Sequence, residues 1–529
     1  MSGYTLRNTL VRNRLSSRWR PDATAVLFGD RRVTYAQLAT GVDELALGLL
    51  HRGFRRGDRL QVLLPNCVEY VELFFAVASL GGIIVPTNYL STAREVVHVQ
   101  QDSRATWIVV DERYVHNLSA IPAGAVPLSQ VFGIGDCPGI EPLDSVRASA
   151  SDFAADDAPD FSLMADPNDV VLLQYTSGTS GVPKAAAHTH SSLMWNMIQQ
   201  VVDFGLVPED IYVSVPALCW AAGFHDFLLP LLWVGGTVVL LPSQSLTGAL
   251  IAELVESHRG TVVMMVPSVL RRFLGAGGSD GYDLSSLRLL CSGGEALPIE
   301  LIQEFRAALP GVWLAQVYGM SEGPMIMTFL DDVHAIEREG SAGKSMILTD
   351  LRIVDAEDRD VAPGEVGEIV VRSPGTMLGY ADAEEKNAEA FRNGWFHTGD
   401  SAFHDEDGFI SIVGRSKDMY ISGGLNVYPA EIERVLRLVD GVDEAAVVAV
   451  PDPSFGEVGC AFVVPAPGAV VTEEALSAGV KEHLATYKVP RHWRISQDPL
   501  PRTTSGKVQK AALLELARAS VDFSPRSKG

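Results

Sequence analysis

Cysteine is scarce: the chain has five in 529 residues, at 67, 137, 219, 291 and 460, odd in number and without paired spacing. That excludes a disulfide framework and a cysteine zinc site, and fits a reducing, cytoplasmic location. Positive charge is also short, with 42 basic residues against 65 acidic ones and a formal charge of −23. A surface of that sign repels nucleic-acid backbones and anionic lipid, so neither is an expected partner. Long apolar runs are missing too. The most apolar stretch, Val215 to Pro242, is interrupted by His225, Asp226, Gly235 and Gly236, and reads as core, not as a membrane span. No short repeat, Gly-x-Ser-x-Gly elbow or zinc motif occurs. Gly133-Ile-Gly135-Asp-Cys-Pro138-Gly139 imitates a dinucleotide fingerprint, but its spacing is wrong and proline stands where a helix should begin.

What is present is an ordinary globular composition in a chain too long for one core, so two or more domains are expected. Helical patterns at Tyr35 to His51 and Val68 to Leu80 alternate with β-rich runs at Arg59 to Leu64, Thr106 to Val110, Thr237 to Leu241 and Thr261 to Val266. This alternation predicts an α/β fold of largely parallel sheets. From Leu351 to Arg372 the texture changes to short strands and turns, a small β subdomain. A break is expected at Gly414-Arg-Ser-Lys-Asp418, giving a large domain over 1–413 and a small α+β domain over 414–529. In that small domain a helix is expected over Ala430 to Leu438, strands over Ala445 to Val450 and Cys460 to Pro465, and a helix over Thr472 to Leu484. The first twenty residues hold arginines and no acid, as a transit peptide does, but Leu6, Leu10, Val11 and Leu15 also suit a docked helix. The ending Ser527-Lys528-Gly529 misses a peroxisomal address by its last residue.

The strongest local signal is Tyr175-Thr176-Ser177-Gly178-Thr179-Ser180-Gly181-Val-Pro183-Lys184, directly after the β-run Val170 to Leu173. Small hydroxyl residues and glycines let backbone N–H groups converge on phosphate oxygens, and the lysine adds charge. It is not the usual nucleotide loop, because the lysine follows proline and no Ser or Thr comes next. His188 and His190, two apart, do not make a helical metal pair and read as structural or nucleotide-adjacent. The run resembles the phosphate loop of the adenylate-forming superfamily of acyl-CoA synthetases, aryl-CoA ligases, luciferases and adenylation domains. The family's other motifs follow in order: Ser292-Gly293-Gly294-Glu-Ala, Gln316-Val-Tyr318-Gly319-Met320-Ser321-Glu322, Trp395-Phe-His-Thr-Gly-Asp400, Gly414-Arg415-Ser-Lys417-Asp, Ser422-Gly423-Gly424 and Pro501-Arg-Thr-Thr-Ser-Gly-Lys507. The resemblance spans about Thr34 to Lys510, and the Gly423-to-Glu433 segment is most similar to bacterial fatty-acyl ligases.

The resemblance implies ATP, magnesium and coenzyme A as co-substrates and metal. Glu322 offers a hard carboxylate for magnesium, and Ser321, where the family usually has threonine, keeps a hydroxyl for the α-phosphate. Tyr318, followed by Gly319, would stack on adenine while Gly293 and Gly294 line the base. Asp400 would accept from the ribose hydroxyls, with Arg415 reaching ribose and phosphates. Lys507 would stabilise the charge built as a carboxylate attacks the α-phosphorus. Lys417 would be the hinge about which the small domain turns, bringing the Gly423-Gly424 loop to the thiol tunnel in the second half-reaction.

The acid is less specified. Amino-acid-activating relatives open their pocket motif with aspartate, whereas Pro216-Ala-Leu-Cys219-Trp220-Ala221-Ala-Gly223-Phe224 has none, which disfavours α-amino acids. Asp226 lies just beyond. Trp220 falls where many CoA ligases have histidine; it can gate a tunnel but cannot accept a hydrogen bond. With Met320, Met325 and Met327 these residues describe either an apolar, adaptable pocket or plain core. Fatty, branched and simple aromatic acids all fit. The acceptor is CoA or, alternatively, the phosphopantetheine of a carrier protein, and monomer and homodimer are both typical of the family.

Overall fold

The structure is a computed structural model describing residues 4–7, 21–152, 159–176, 183–242, 246–275, 277–295, 297–338, 340–502 and 508–520. It divides into two compact units, Met1–Leu351 with Val371–Phe396, and Arg352–Val370 with His397–Gly529.

The first unit carries two sheets. One runs in the order Gly379–Tyr380, Lys184–Thr189, Val170–Thr176, Ile83–Pro86, Arg59–Leu63, Trp107–Asp111, Val131–Ile134, Glu141–Pro142. Its strands are parallel from Val170–Thr176 to the Glu141 edge, and antiparallel where Val170–Thr176 meets Lys184–Thr189. In the other, Trp313–Tyr318, Leu289–Gly293, Val262–Met265, Ile211–Ser214, Thr237–Leu240 and Thr24–Phe28 pair in parallel. The expected α/β class therefore holds, and Tyr35–His51 and Val68–Ser79 are helices as the apolar spacing predicts. Capping boxes at Thr34/Gln37, Thr92/Glu95 and Thr189/Ser192 start three helices, because each cap hydroxyl satisfies an N–H that the helix leaves orphaned.

One apolar core joins the two sheets. Leu60, Val62 and Trp107 from the first pack with Tyr212, Val262 and Leu289 from the second and with Leu45, Leu49, Phe74 and Phe75 of the helices. Each such side chain contributes roughly 1.5–3 kcal/mol by leaving water. The helix Val68–Ser79 is buried nearly all round; of its two carboxylates Glu72 is buried and ion-paired to Arg147, and Glu69, at the rim, pairs with Arg31. The apolar stretch after Val215 resolves into short helices Ala221–Phe224 and Leu228–Val234 and the strand Thr237–Leu240. Among the described residues no helix is long and apolar enough to cross a membrane, and all five cysteines are free. Gly133 lies within the strand Val131–Ile134, and the chain after it reaches no helix until Leu143.

In the second unit Trp395–His404 and Ile410–Arg415 form a hairpin. Val442–Asp452 and Gly456–Pro465 form a second hairpin, and Tyr420–Ser422 and His492–Ile495 both pair with Gly456–Pro465, the first at Gly456 and the second at Cys460 to Val463. The strand alternation gives it two cores. Val447, Ala461 and Val463 face the helices Pro429–Leu436 and Glu473–His483, while Val448, Cys460 and Phe462 face Lys510–Ser520.

Candidate active site

Thr176 and Lys184 are paired partners on adjacent antiparallel strands, so they flank the Ser/Gly-rich loop at one level. Ser177, Gly178, Thr179, Ser180 and Gly181 lie outside the described residues. Tyr175 donates to Asp102 Oδ2 at 2.7 Å, fastening the loop's first flank. The Thr176 hydroxyl turns the other way and donates to Glu322 Oε1 at 3.0 Å. Tyr380 OH reaches the same oxygen at 3.3 Å, and the Lys184 ammonium sits 5.2 Å from the Tyr380 ring centroid. A carboxylate, two hydroxyls and an ammonium thus converge beside the loop.

The turn that delivers Glu322 follows from the sequence after Tyr318. The strand Trp313–Tyr318 ends, and the chain doubles back so that Met327 N donates to Tyr318 O at 2.8 Å. Gly319 is obligatory there, since a Cβ would overlap the Met325 carbonyl oxygen. Ser321 is pinned from behind by His188, whose Nε2–H donates to the Ser321 carbonyl at 2.7 Å, leaving Nδ1 as acceptor 3.3 Å from Ser192 Oγ. Burial lowers the His188 pKa to about 4, so the ring is neutral near pH 7, as this bonding requires. Gly293 pairs with Val317 in the neighbouring strand and has no room for a side chain, and Gly294 adopts a φ of +89°.

Two adjacent glutamines of the helix His190–Asp203 hold the turn after Tyr318 and the chain just beyond the pocket motif. Gln199 donates to the carbonyls of Pro324 and Ile326 at 3.2 and 2.9 Å. Gln200 donates to His225 O and Asp226 Oδ1 at 3.2 and 3.3 Å and accepts from Phe227 N at 3.0 Å. Gln174, on the strand leading to the phosphate loop, donates to Cys219 O at 3.1 Å. Trp220 and Ala221 remain half-buried, as does Met320. Gly223 is packed against the Ala217 carbonyl, and Phe224 is sunk in the core 4.4 Å from the Phe74 ring centroid.

In the second unit Asp400 and Arg415 face each other across the hairpin, with Arg415 Nε 2.8 Å from Asp400 Oδ1. Asp400 is buried, and its N–H donates to Thr398 Oγ1 at 3.1 Å. Lys417 lies in the single turn Ser416–Asp418. Gly423 and Gly424 make the two-residue turn between Tyr420–Ser422 and Leu425–Val427, with φ of +59° and +87° that favour glycine at both positions. Lys507 lies outside the described residues; Arg502 and Val508 bridge across the segment that holds it.

Tyr380 is the site residue that sequence reasoning does not find. It is a lone tyrosine without diagnostic spacing, placed by pairing with Ala186 and by Asn387, which accepts from its N–H at 2.7 Å and donates to its carbonyl at 2.8 Å.

The AMP-binding enzyme family matches residues 14–381, and the AMP-binding enzyme C-terminal domain matches residues 431–507. The chain belongs to the AMP-binding enzyme family, as its loop, its turn and its two-unit fold already indicate. Within that family it is an AMP-forming acyl-CoA ligase, with ATP and CoA as co-substrates. Similar proteins include a feruloyl-CoA synthase from Amycolatopsis sp, 39% identical over 93% of this chain and 96% of that enzyme. Another is an indoleacetate–CoA ligase from Aromatoleum aromaticum, 33% identical over 94% of this chain and 95% of that enzyme. The crystal structure of ATP-bound MatB from Rhodopseudomonas palustris superposes with a TM-score of 0.85 at 29% identity, over 97% of this chain and 99% of that one.

Proposed function

We propose that the enzyme is an aryl-CoA ligase that activates an aromatic carboxylic acid of the cinnamic type. In the first step an acid oxygen attacks the α-phosphorus of ATP, the bond to the β-phosphate oxygen breaks, and pyrophosphate leaves. In the second the thiol sulfur of CoA attacks the acyl carbon, the acyl–phosphate bond breaks, AMP departs and the thiol proton passes to solvent. The observation that carries the adenylation reading is the convergence of the Thr176 and Tyr380 hydroxyls on Glu322, with the Lys184 ammonium over the Tyr380 ring, where the phosphate-loop motif begins and ends. The aromatic reading rests on the feruloyl and indoleacetate ligases among the relatives. Those relatives are CoA ligases, which favours CoA over a carrier-protein phosphopantetheine.

Magnesium fits this donor set. It prefers one or two carboxylates completed by substrate phosphates and water, and Glu322 with the Thr176 hydroxyl supplies that much. Among the described residues no group of three His, Cys, Asp or Glu could hold a metal alone. When bound, the ion offsets phosphate charge that a chain of formal charge −23 would otherwise repel. Lys184 adds a cation at the loop, and Ser321 takes the α-phosphate. Tyr318, Gly319, Gly293 and Gly294 hold the adenine, and Asp400, oriented by Arg415, takes the ribose. Residues 414–529 act as the mobile domain. Lys507 serves adenylation, Lys417 is the hinge, and Gly423-Gly424 serves the thiol step. Trp220, Ala221, Gly223, Phe224 and Met320 shape the acid site.

The test incubates the protein with magnesium-ATP and fatty, branched and aromatic acids, with and without CoA, reading products by mass spectrometry. Aryl-CoA formed only when CoA is present upholds the proposal. Acyl-adenylate that accumulates while CoA is ignored would move the acceptor to a carrier protein. Turnover of fatty acids alone would overturn the aromatic assignment.

A further inference from the structure

The acid-pocket motif ends in a group that an apolar pocket does not need. Asp226 is only 4% exposed and lies close to Tyr212 and Cys291, next in the chain to Phe227, whose ring packs on Tyr212 and Phe204. Its oxygen Oδ1 has one long bond, from Gln200 at 3.3 Å, and Gln200 shares that amide with the His225 carbonyl. Burial pushes the carboxyl up to about 7, against the Gln200 bond, which favours the charged form. Tyr212, which feels the Asp226 charge, Ser214 beside Tyr212, and His225 next in the chain each bury a polar atom (OH, Oγ and Nδ1) that has no hydrogen-bond partner among the described residues. Native interiors rarely leave such atoms unpaired, because each forfeits its bonds to water.

The local backbone is arranged around this carboxyl. Phe227, the next residue, has φ 63° and ψ −40°, a conformation that side chains seldom adopt, and Gln200 Oε1 holds its N–H at 3.0 Å. Ser214 closes the C-terminal end of the strand Ile211–Ser214, and Tyr212 lies on the same face two residues before it. Cys291 precedes Ser292-Gly293-Gly294 on the same sheet. Ligands of parallel α/β sheets bind at this carboxyl edge.

We propose that Asp226, backed by Tyr212 and Ser214, is the polar end of the acid site and receives the phenolic hydroxyl of an aromatic acid. The enzyme then selects hydroxyaryl acids over their unsubstituted counterparts. This rests on the aryl-CoA ligase reading and adds to it the substituent recognised. A neutral hydroxyl suits the site better than an ammonium, since a carboxyl that ionises only near pH 7 is a weak counter-ion for a buried cation.

The experiment compares kcat/KM for 4-hydroxycinnamate and cinnamate, with Asp226→Leu, Asp226→Asn and Tyr212→Phe beside the unaltered enzyme. A site built to hydrogen-bond a hydroxyl rejects the analogue lacking it, so a preference of about 10²-fold or more is expected. In Asp226→Leu that ratio should collapse to within a few-fold, and in Tyr212→Phe and Asp226→Asn it should fall part of the way. Should Asp226→Leu fail to fold, the Tyr212→Phe and Asp226→Asn ratios decide alone. Equal turnover of the two acids by the unaltered enzyme would overturn the proposal, as would an undiminished ratio in the variants that fold. If neither acid nor any other aromatic acid is turned over, the aryl-ligase reading fails instead.

Discussion

Glu322 is gripped through one oxygen by Thr176 and Tyr380, and this leaves the other oxygen to a ligand. Glu322→Gln keeps the shape and removes the charge. Pyrophosphate release should fall by about 10²–10³-fold, the usual cost of losing one electrostatic group from a phosphoryl-transfer site. Thioester formation from pre-formed acyl-adenylate should suffer far less, and an equal loss in both assays would count against the role. His188 acts at one remove, through the Ser321 carbonyl. His188→Ala should destabilise the fold by about 1–3 kcal/mol in urea denaturation by orphaning a buried acceptor. His188→Gln, whose amide can reach the same carbonyl, should restore most of that and of the KM for ATP. Thr176, Lys184, Ser321 and Glu322 could be nominated from sequence because small residues, a lysine and a carboxylate stand together in two motifs. Tyr380 could not be, since its role arises from a contact 58 residues away in the chain, and His188 was read as structural or nucleotide-adjacent without its partner, the Ser321 carbonyl 133 residues on.

Among the elements, Tyr35–His51, capped by Thr34 and Gln37, was legible to the residue. The strands expected over Ala445 to Val450 and Cys460 to Pro465 instead extend to Val442–Asp452 and Gly456–Pro465, because hairpin pairing carries them past their apolar centres. The two-residue strand Gly379–Tyr380 and the strand His492–Ile495 were not foreseen, because distant pairing creates them. The turn after Tyr318 is the most constrained element near the site. Gly319→Ala should abolish ATP–pyrophosphate exchange and lower thermal stability by about 1–3 kcal/mol, because the methyl must displace the Met325 carbonyl. Normal exchange activity in that variant would show the turn to be plastic.

For the whole molecule, the buried titratable groups set how it responds to acid. Burial lowers His188 and His190 to about 4 and His225 to about 3, from an ordinary 6.5. Below pH 6.5 the unfolded chain protonates these rings and the folded one does not, so stability falls with pH until the folded pKa values are reached. Asp226, raised to about 7, works the other way, since folding favours its protonated form between pH 3.8 and 7. Three rings against one carboxyl leave a net loss on the order of 2 kcal/mol between pH 7.5 and 5.5. Urea midpoints across that range test it, and midpoints that rise toward pH 5.5 would contradict the assignment. At this scale the α/β class was readable from the alternation of helix and strand. The grouping of Arg352–Val370 with His397–Gly529 in one compact unit was not, as chain order gives no sign of it.

The neighbouring glutamines of the helix His190–Asp203 carry a consequence for protein engineering. Gln199 anchors Pro324 and Ile326, and Gln200 anchors His225 to Phe227, so a single helical turn sets the separation of two distant stretches of chain. A graft of residues 216–227 from a relative with another acid preference would arrive without its own clasp. Libraries that recombine this enzyme with its relatives should therefore place crossovers outside 190–227, inheriting turn and helix as one cassette.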